Sequence, residues 1–372
     1  MKIAAVKPYS ITYGKRGMFL VKIETDNGLH GWGEGGISGR EQPMSAVVES
    51  FKPMLLGEDP RRIDHLWQVM FRGGFFEPGD AVSAAISAID LALWDILGKH
   101  LNVPCWQLLG GRSRDRIECY THSTLESLKQ QIEAGWKYLR LDASSSPENP
   151  SEFDPDDAVR RTVQKMMRAR EIAGDNIKLC VDFHTRFNPP AAAQACNGIE
   201  SMRPLFVEDP LRWKSAKNYL AFRKRTNVPL AVGEACGSKW EFQQLIEEDA
   251  IDYARIDVCN VGGLTEARKV AAMAETHYID VVPHNPLGPI STAACIQLAA
   301  TIPNFLVLEN CINPELAPGL FRNAMQFELP CFKIPEAPGL GVQVEESELS
   351  KYPWKLWQPP RLHRPDGGFT NW

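Results

Sequence analysis

The sequence predicts an α/β fold: a series of parallel strands and helices able to close into a barrel, with an α+β unit ahead of it and a non-repetitive tail behind. Two observations carry this reading. From Arg116 onward, short apolar runs alternate with amphipathic stretches, the pattern of βα units that feed a parallel sheet. Eight such runs can be counted, centred near Cys119, Leu139, Val181, Phe206, Val232, Ala254, Val281 and Leu306. The chain of 372 residues is also long enough for a barrel-sized domain plus a smaller one. Periodicity alone leaves an open doubly wound sheet as the alternative to a closed barrel.

Taken in order, residues 18–25 and 29–34 read as two strands joined by the turn former Asp26-Asn27-Gly28. Helical patterns follow over 42–56, 60–72 and 81–100, the last with Ile86, Ile89, Leu93, Ile96 and Leu97 on a common stripe. Residues 1–115 therefore form the α+β unit. Within 116–313, helices are expected near 125–134, 158–172, 191–202, 216–226, 239–248, 265–276 and 290–300. Residues 314–372 are rich in Pro and Gly and offer one short strand, 339–344. They are expected to cross back onto the N-terminal unit, finishing at Trp354, Trp357 and Trp372.

The net charge of −5 comes with no basic stripe, which argues against nucleic acid as a partner. No apolar run reads as long enough to span a bilayer, and the start lacks a signal-peptide pattern, so a cytoplasmic protein with no membrane partner is expected. Nine cysteines without a CxxC pair disfavour zinc knuckles and a disulfide framework.

Functional groups of a parallel barrel gather at the carboxyl ends of its strands. Here the third, fourth and fifth runs end in Asp182, Glu208 and Glu234, at nearly one interval. Any one of these could cap a helix or form a surface ion pair. Three together suit a hard divalent cation such as Mg²⁺. The sixth run ends in Arg255-Ile256-Asp257, the seventh in His284 and the eighth in Glu309.

With those strand ends go Asp182-Phe183-His184, Glu208-Asp209-Pro210, Gly233-Glu234, Val261-Gly262-Gly263-Leu264, His284-Asn285-Pro286 and Trp67 through Arg72. On these motifs the chain resembles the enolase superfamily over nearly its whole length, in the mandelate racemase subgroup, and most closely the acid-sugar dehydratases such as galactonate dehydratases. The resemblance implies a (β/α)₇β barrel with an α+β capping domain, built from the N-terminal segment and the tail. It implies Mg²⁺ on Asp182, Glu208 and Glu234, and a homo-oligomer, commonly an octamer.

It also implies site roles. His284 is the base that takes the α-proton of a metal-chelated acid to give an enediolate, and Asp257 orients its ring. His184 is the acid that releases the 3-hydroxyl. Glu309, in protonated form, hydrogen-bonds the substrate carboxylate. Lys15 and Arg16 fall in the loop that closes over the site.

The second run departs from the family: where relatives carry Lys-x-Lys or Lys-x-Asn, this chain has Arg140-Leu141-Asp142. Arg140 can neutralise a carboxylate but is a poor base, and Asp142 can pair with it or meet a substrate hydroxyl. A base on one face only favours dehydration of a sugar acid, galactonate-like first, to a 2-keto-3-deoxy acid. Racemisation, epimerisation or cycloisomerisation through the same enediolate is the enzymatic alternative, and a non-catalytic acid-binding protein the other.

Overall fold

Three antiparallel strands, β1 (Ile3–Tyr13), β2 (Arg16–Thr25) and β3 (His30–Gly35), open the chain in the order β1-β2-β3. The computed structural model describes residues 1–143, 151–212, 215–311, 313–323 and 325–370. Strand β2 is central, and its Met18-Phe19-Leu20-Val21 run is buried, as a strand covered on both faces must be. Strand β1 escaped the sequence reading because Lys7, Pro8 and Ser10 interrupt its apolar alternation, although Ile3, Val6 and Ile11 are buried.

Helices α1 (Glu41–Leu55), α2 (Ile63–Arg72) and α3 (Asp80–Leu101) pack behind this sheet, followed by a single turn, α4 (Cys105–Leu108). Strand β3 and α3 approach so closely that a Cβ at Gly33 would lie 1.8 Å from the Ala88 carbonyl oxygen. By length and hydropathy α3 could cross a bilayer, which corrects the expectation that no run is long enough. Its apolar window is 83% buried inside the fold, so the apolar character serves the core.

The barrel strands are β4 (Arg116–Ser123), β5 (Tyr138–Asp142), β6 (Lys178–Asp182), β7 (Val207–Glu208), β8 (Leu230–Val232), β9 (Tyr253–Ala254), β10 (Asp280–Val281) and β11 (Leu308–Glu309). Between them run α5 (Leu125–Glu133), α6 (Pro155–Ala173), α7 (Pro189–Ile199), α8 (Ala216–Arg223), α9 (Lys239–Glu247), α10 (Gly263–Thr276) and α11 (Pro289–Thr301). Each strand from β4 to β10 pairs in parallel with the next, and β11 pairs with β4. A parallel bridge between Val281 and Phe305 joins β10 to the segment entering β11. The ring therefore closes as (β/α)₇β, and the open sheet is eliminated. Tyr120, Cys180, Phe206, Ala231, Val282 and Val307 form a separate buried cluster that fills the barrel interior.

In the tail, β12 (Phe321–Asn323) pairs with β15 (Val342–Val344), and β13 (Phe327–Glu328) with β14 (Cys331–Lys333). Strand β14 also pairs antiparallel with β4 through Phe332 and Ile117, an attachment to the barrel that the sequence did not suggest. It arises because β5 and β11 use only residues 119–123 of β4, leaving the first turn-free half of that strand open. Farther on, Thr12 N donates to Tyr352 O (3.1 Å) and Trp354 Nε1 to Glu41 Oε2 (3.1 Å), so this part lies on the N-terminal unit. Trp372 lies outside the described residues.

Three buried acids fasten the N-terminal unit to its neighbours. Glu34 accepts from the Gly288 and Ser291 amides (2.8 and 2.9 Å) at the start of α11. Asp90 accepts from the Thr265 amide (3.1 Å) in the first turn of α10. Asp95 takes the amides of Trp32 (3.1 Å) and Leu340 (3.0 Å). An anion at a helix start satisfies otherwise unpaired amides and meets the positive end of the dipole. A side chain at Gly263, where φ is +80°, would collide with Asp90, its Cβ 2.1 Å from the carboxylate.

Candidate active site

The strand ends of the barrel form one polar rim beneath the N-terminal unit. Asp182 closes β6 and faces Glu208, the last residue of β7, in register. Glu234 follows β8 after Gly233, whose φ of +135° turns the chain where a Cβ would strike the Phe242 ring at 2.3 Å. Left-handed backbone also occurs at His184 (φ +48°), Thr185 (+57°) and Asp209 (+38°). Such bends are costly for residues with side chains and cluster where a site needs them. This one folds His184 back onto Asp182, with Nε2 3.0 Å from Oδ2 and the His184 amide 2.7 Å from Oδ1.

Two guanidinium groups sit among the carboxylates. Arg140, on β5, is 5% exposed; it pairs with Asp182, lies 3.5 Å from Glu208 Oε2, and meets Asp142 at 2.9 Å. Arg255, just beyond β9, is fully buried and reaches Glu208 (2.5 Å), Glu309 (2.9 Å) and Glu234 (4.0 Å). Burial pushes the Asp182 carboxyl up, but His184 and Arg140 outweigh it and hold the group below the usual carboxylate range. Glu234 is pushed well above that range by burial, which the neighbouring His284 only partly offsets.

His284 Nδ1 lies 2.7 Å from Asp257 Oδ2, and its Nε2 is 3.5 Å from Glu234 Oε2. The other Asp257 oxygen accepts the Cys259 amide at 2.7 Å, so this carboxylate both shapes its loop and fixes the imidazole. Burial lowers the His284 pKa, and the Glu234 and Asp257 carboxylates more than reverse this, to about 9.

Glu309 stands among several donors. Buried as it is, it faces Arg255, His122 (2.7 Å to Oε1) and the Asn285 amide (2.9 Å to Oε2). These donors overcome the cost of burial and hold the carboxyl well below its ordinary value. Such surroundings favour its carboxylate form over the protonated form that the resemblance implies.

A cavity of about 350 Å³ opens over the rim, and Arg140, Asp182, His184, Glu234, His284 and Glu309 line it. Glu208 lies underneath and Asp257 behind His284. Arg16 reaches this cavity, whereas Lys15 lines a neighbouring one with Cys311 and Glu34. Asp142 is half exposed at the edge of the site: it does not line the cavity, but its carboxylate lies within 4.8 Å of the ligand atoms of Asp182 and His184.

Sequence reasoning did not single out His122, Arg255, Asn260 or Trp357 as site residues. His122 is the next-to-last residue of the first barrel strand, and reading that strand by the rule used for the others finds it. Arg255 sits two residues before Asp257, but nothing in a sequence announces a fully buried guanidinium. Asn260 and Trp357 line the cavity from a loop and from the tail, where no periodicity points at a site.

The donor set fits a hard cation. Asp182, Glu208 and Glu234 offer only oxygen, and the buried Glu208 Oε2 has no hydrogen-bond partner among the described residues. Arg140 holds Asp182, Arg255 holds Glu208 and His284 faces Glu234, so each acid has a counter-charge of its own.

Comparison with known proteins agrees with this arrangement. Residues 123–348 match the family model described as enolase C-terminal domain-like, and residues 3–110 match the mandelate racemase / muconate lactonizing enzyme N-terminal domain. Among solved structures, an enolase from Pantoea ananatis with D-gluconate and Mg bound is 26% identical, with a TM-score of 0.92 over 100% of this chain and 99% of that one. An enolase from Agrobacterium radiobacter, provisionally described as a galactarate dehydratase and holding Na and L-malate, is 28% identical, with a TM-score of 0.91 over 100% of both chains. A mandelate racemase/muconate lactonizing enzyme from Sulfitobacter sp. is 29% identical, with a TM-score of 0.89 over 95% of this chain and 96% of that one. Enzymes of this superfamily use Mg²⁺. The closed barrel, its acidic rim and both domain matches lead to one conclusion: the chain belongs to the enolase superfamily, in its mandelate racemase subgroup, and is most like the acid-sugar dehydratases there.

Proposed function

We propose that this protein is a Mg²⁺-dependent dehydratase of a sugar acid, converting an aldonate such as galactonate, or a related acid, into its 2-keto-3-deoxy product. The observation that carries the reading is the pair of imidazoles, His284 and His184, that line one cavity beside three carboxylates. Mg²⁺ held by Asp182, Glu208 and Glu234 would supply Lewis-acid stabilisation of charge building on the substrate carboxylate. His284 Nε2 takes the α-proton, and Asp257 fixes the ring and balances the imidazolium. His184 gives a proton to the departing 3-hydroxyl, so that water leaves and the enol tautomerises to the ketone. Arg140 offsets negative charge at the cavity floor, Glu309 accepts a hydrogen bond from the substrate, and Lys15, Arg16 and Asp142 contribute to its outer contacts.

The two relatives with gluconate and with malate bound support an acid as ligand. The test is a screen of aldonates, uronates and aldarates for 2-keto product with Mg²⁺, on the wild type and on His284→Asn and His184→Asn. His184→Asn should keep solvent-deuterium exchange at the α-carbon while losing product. Full dehydration by His284→Asn would remove that residue as the base.

Epimerisation is the second reading, and His122 favours it. Strand β11 lies between β10 and β4, so His122 stands across Glu309 from His284 and lines the same cavity. Deuterium exchange with inversion at the α-carbon and no keto acid would establish that alternative. Assembly as a homo-oligomer and a cytoplasmic location belong to the same proposal, the first tested by light scattering and the second by cell fractionation.

A further inference from the structure

Between the cavity over the rim and its neighbour, His122, Glu309 and Cys311 bring three kinds of donor atom together. From this cluster we infer a second metal site, separate from the acidic triad and suited to a thiophilic divalent cation such as Zn²⁺. The register of the barrel builds it. Strand β11 runs parallel to β4 with Leu308 opposite Cys119 and Glu309 opposite Tyr120, and the Asn310 amide donates to the Tyr120 carbonyl (3.0 Å), carrying the ladder one step on. Continued by two residues, the same register sets Cys311 opposite His122. Side chains two apart on an extended chain share a side, so Glu309 and Cys311 both reach His122.

The distances are close to those of a tetrahedral ligand set. Cys311 Sγ lies 3.4 Å from His122 Nε2 and 3.8 Å from Glu309 Oε1, and the latter two atoms are 2.7 Å apart. Zinc bonds of about 2.3 Å to sulfur and about 2.0–2.1 Å to nitrogen and oxygen put neighbouring ligand atoms about 3.3–3.6 Å from one another. The His122–Glu309 edge opens by about half an ångström to reach that spacing, and water takes the fourth position. With the cation on Nε2, the imidazole proton passes to Nδ1, where Arg140 Nη2 stands 3.4 Å away. Arg140 keeps its shorter bond to Asp142 (2.9 Å) and its pair with Asp182.

Donor type separates the two metals. Asp182, Glu208 and Glu234 present oxygen alone, which suits Mg²⁺, whereas a thiolate beside an imidazole favours Zn²⁺ or Co²⁺. Burial pushes the Cys311 thiol well above its ordinary value, and Glu309 adds to this, so the group stands as a thiol and yields its proton to a cation that binds sulfur. The remaining cysteines are buried, and none joins such a cluster among the described residues. A cation held here draws on His122 and Glu309, which both line the acid cavity. It therefore opposes the sugar acid instead of serving it.

The test is a Co²⁺ titration at saturating Mg²⁺, followed by absorbance. The wild type should develop a thiolate-to-cobalt charge-transfer band that saturates at one equivalent and that Zn²⁺ abolishes. Cys311→Ser should show no band and should bind Zn²⁺ about a hundredfold or more weakly in calorimetry, since even residues that only orient a metal ligand are worth about 10–100-fold in affinity. His122→Asn should weaken Zn²⁺ to a similar extent, so that a folding defect in either variant leaves the other to decide. A wild type without the band, a band that survives Cys311→Ser, or a Zn²⁺ affinity unchanged by His122→Asn overturns the inference. The spectrum reads this site whether or not any acid is dehydrated, which keeps its failure distinct from that of the proposed reaction. One equivalent of Zn²⁺ added over saturating Mg²⁺ should also slow turnover of the acid that the screen identifies in the wild type and not in Cys311→Ser. Equal slowing in both would put the inhibitory cation on the acidic triad.

Discussion

Arg255 and Glu309 meet at 2.9 Å in a fully buried ion pair at the centre of the barrel rim, and the same guanidinium also holds Glu208. Removing one partner of such a pair leaves a buried charge uncompensated, at a cost of about 3–5 kcal/mol. Arg255→Met should lose stability on that scale in chemical denaturation. Arg255→Lys should fall short of the wild type as well, because a single ammonium cannot reproduce the planar fork that joins Glu208 to Glu309. A lysine variant as stable as the wild type would contradict this account.

Asp257 is placed to act through His284 and not on substrate. Asp257→Asn should lower kcat by roughly 10²-fold or more with little change in KM, since the imidazole loses both its tautomer lock and its counter-charge. Steady-state kinetics on whichever acid the screen identifies provides the check. A matched rise in KM with unchanged kcat would assign Asp257 to ground-state binding.

The acidic triad predicts a metal-linked rise in stability. Saturating Mg²⁺ should raise the unfolding midpoint of the wild type, by about 2.7 kcal/mol of stabilisation at a hundredfold excess over Kd. Glu208→Ala should show none of this increment in a thermal-shift titration. An undiminished response would move the cation off Glu208.

Glu34 holds two amides at the start of α11, in the loop that carries His284. Glu34→Ala leaves both buried donors without their acceptor and should cost about 2–4 kcal/mol. Hydrogen exchange should speed up at Gly288 and Ser291 before it does elsewhere in α11. Uniform acceleration along the helix would mean the acid does no local work.

A pH dependence follows from Asp90. Burial raises its pKa from 3.8 to about 7, against the hydrogen bonds from Thr265 that lower it. A carboxyl that binds its proton more tightly when folded favours the folded state at low pH, and this contribution is lost as pH rises through about 4 to about 7. The stability difference between wild type and Asp90→Asn should therefore shift against the wild type across that window. Urea titrations at several pH values measure it, and a flat difference would refute the shift.

The barrel was legible because its buried strands write themselves as unbroken apolar runs that end in chemistry: Val181-Asp182, Val207-Glu208 and Leu308-Glu309 each show where an apolar interior stops and the rim begins. Closure was not legible, since it depends on Phe305 meeting Val281 and on Glu309 meeting Tyr120, pairings with no local signature. The same distinction separates the site residues. His284 and Asp257 stand at strand ends, whereas the charge environment of Glu309 depends on three donors drawn from β4, the end of β9 and the loop after β10. Asp142 reads as a partner of Arg140 or of a substrate hydroxyl, and at the end of β5 its half-exposed carboxylate pairs with Arg140 and stays within 4.8 Å of the ligand atoms of Asp182 and His184, a grouping that no strand pattern announces.

The acids Glu34, Asp90 and Asp95 each leave the N-terminal unit to grip backbone elsewhere, two of them at the very loops that follow β9 and β10. Anyone exchanging this unit between relatives to transplant specificity would also exchange the grip on the chain bearing Asp257 and His284. Chimeras that import a new outer wall while keeping these three acids and their glycine seats, such as Gly263, should retain the Asp257–His284 pair proposed to transfer the proton; chimeras joined without regard to them should lose turnover even when they fold.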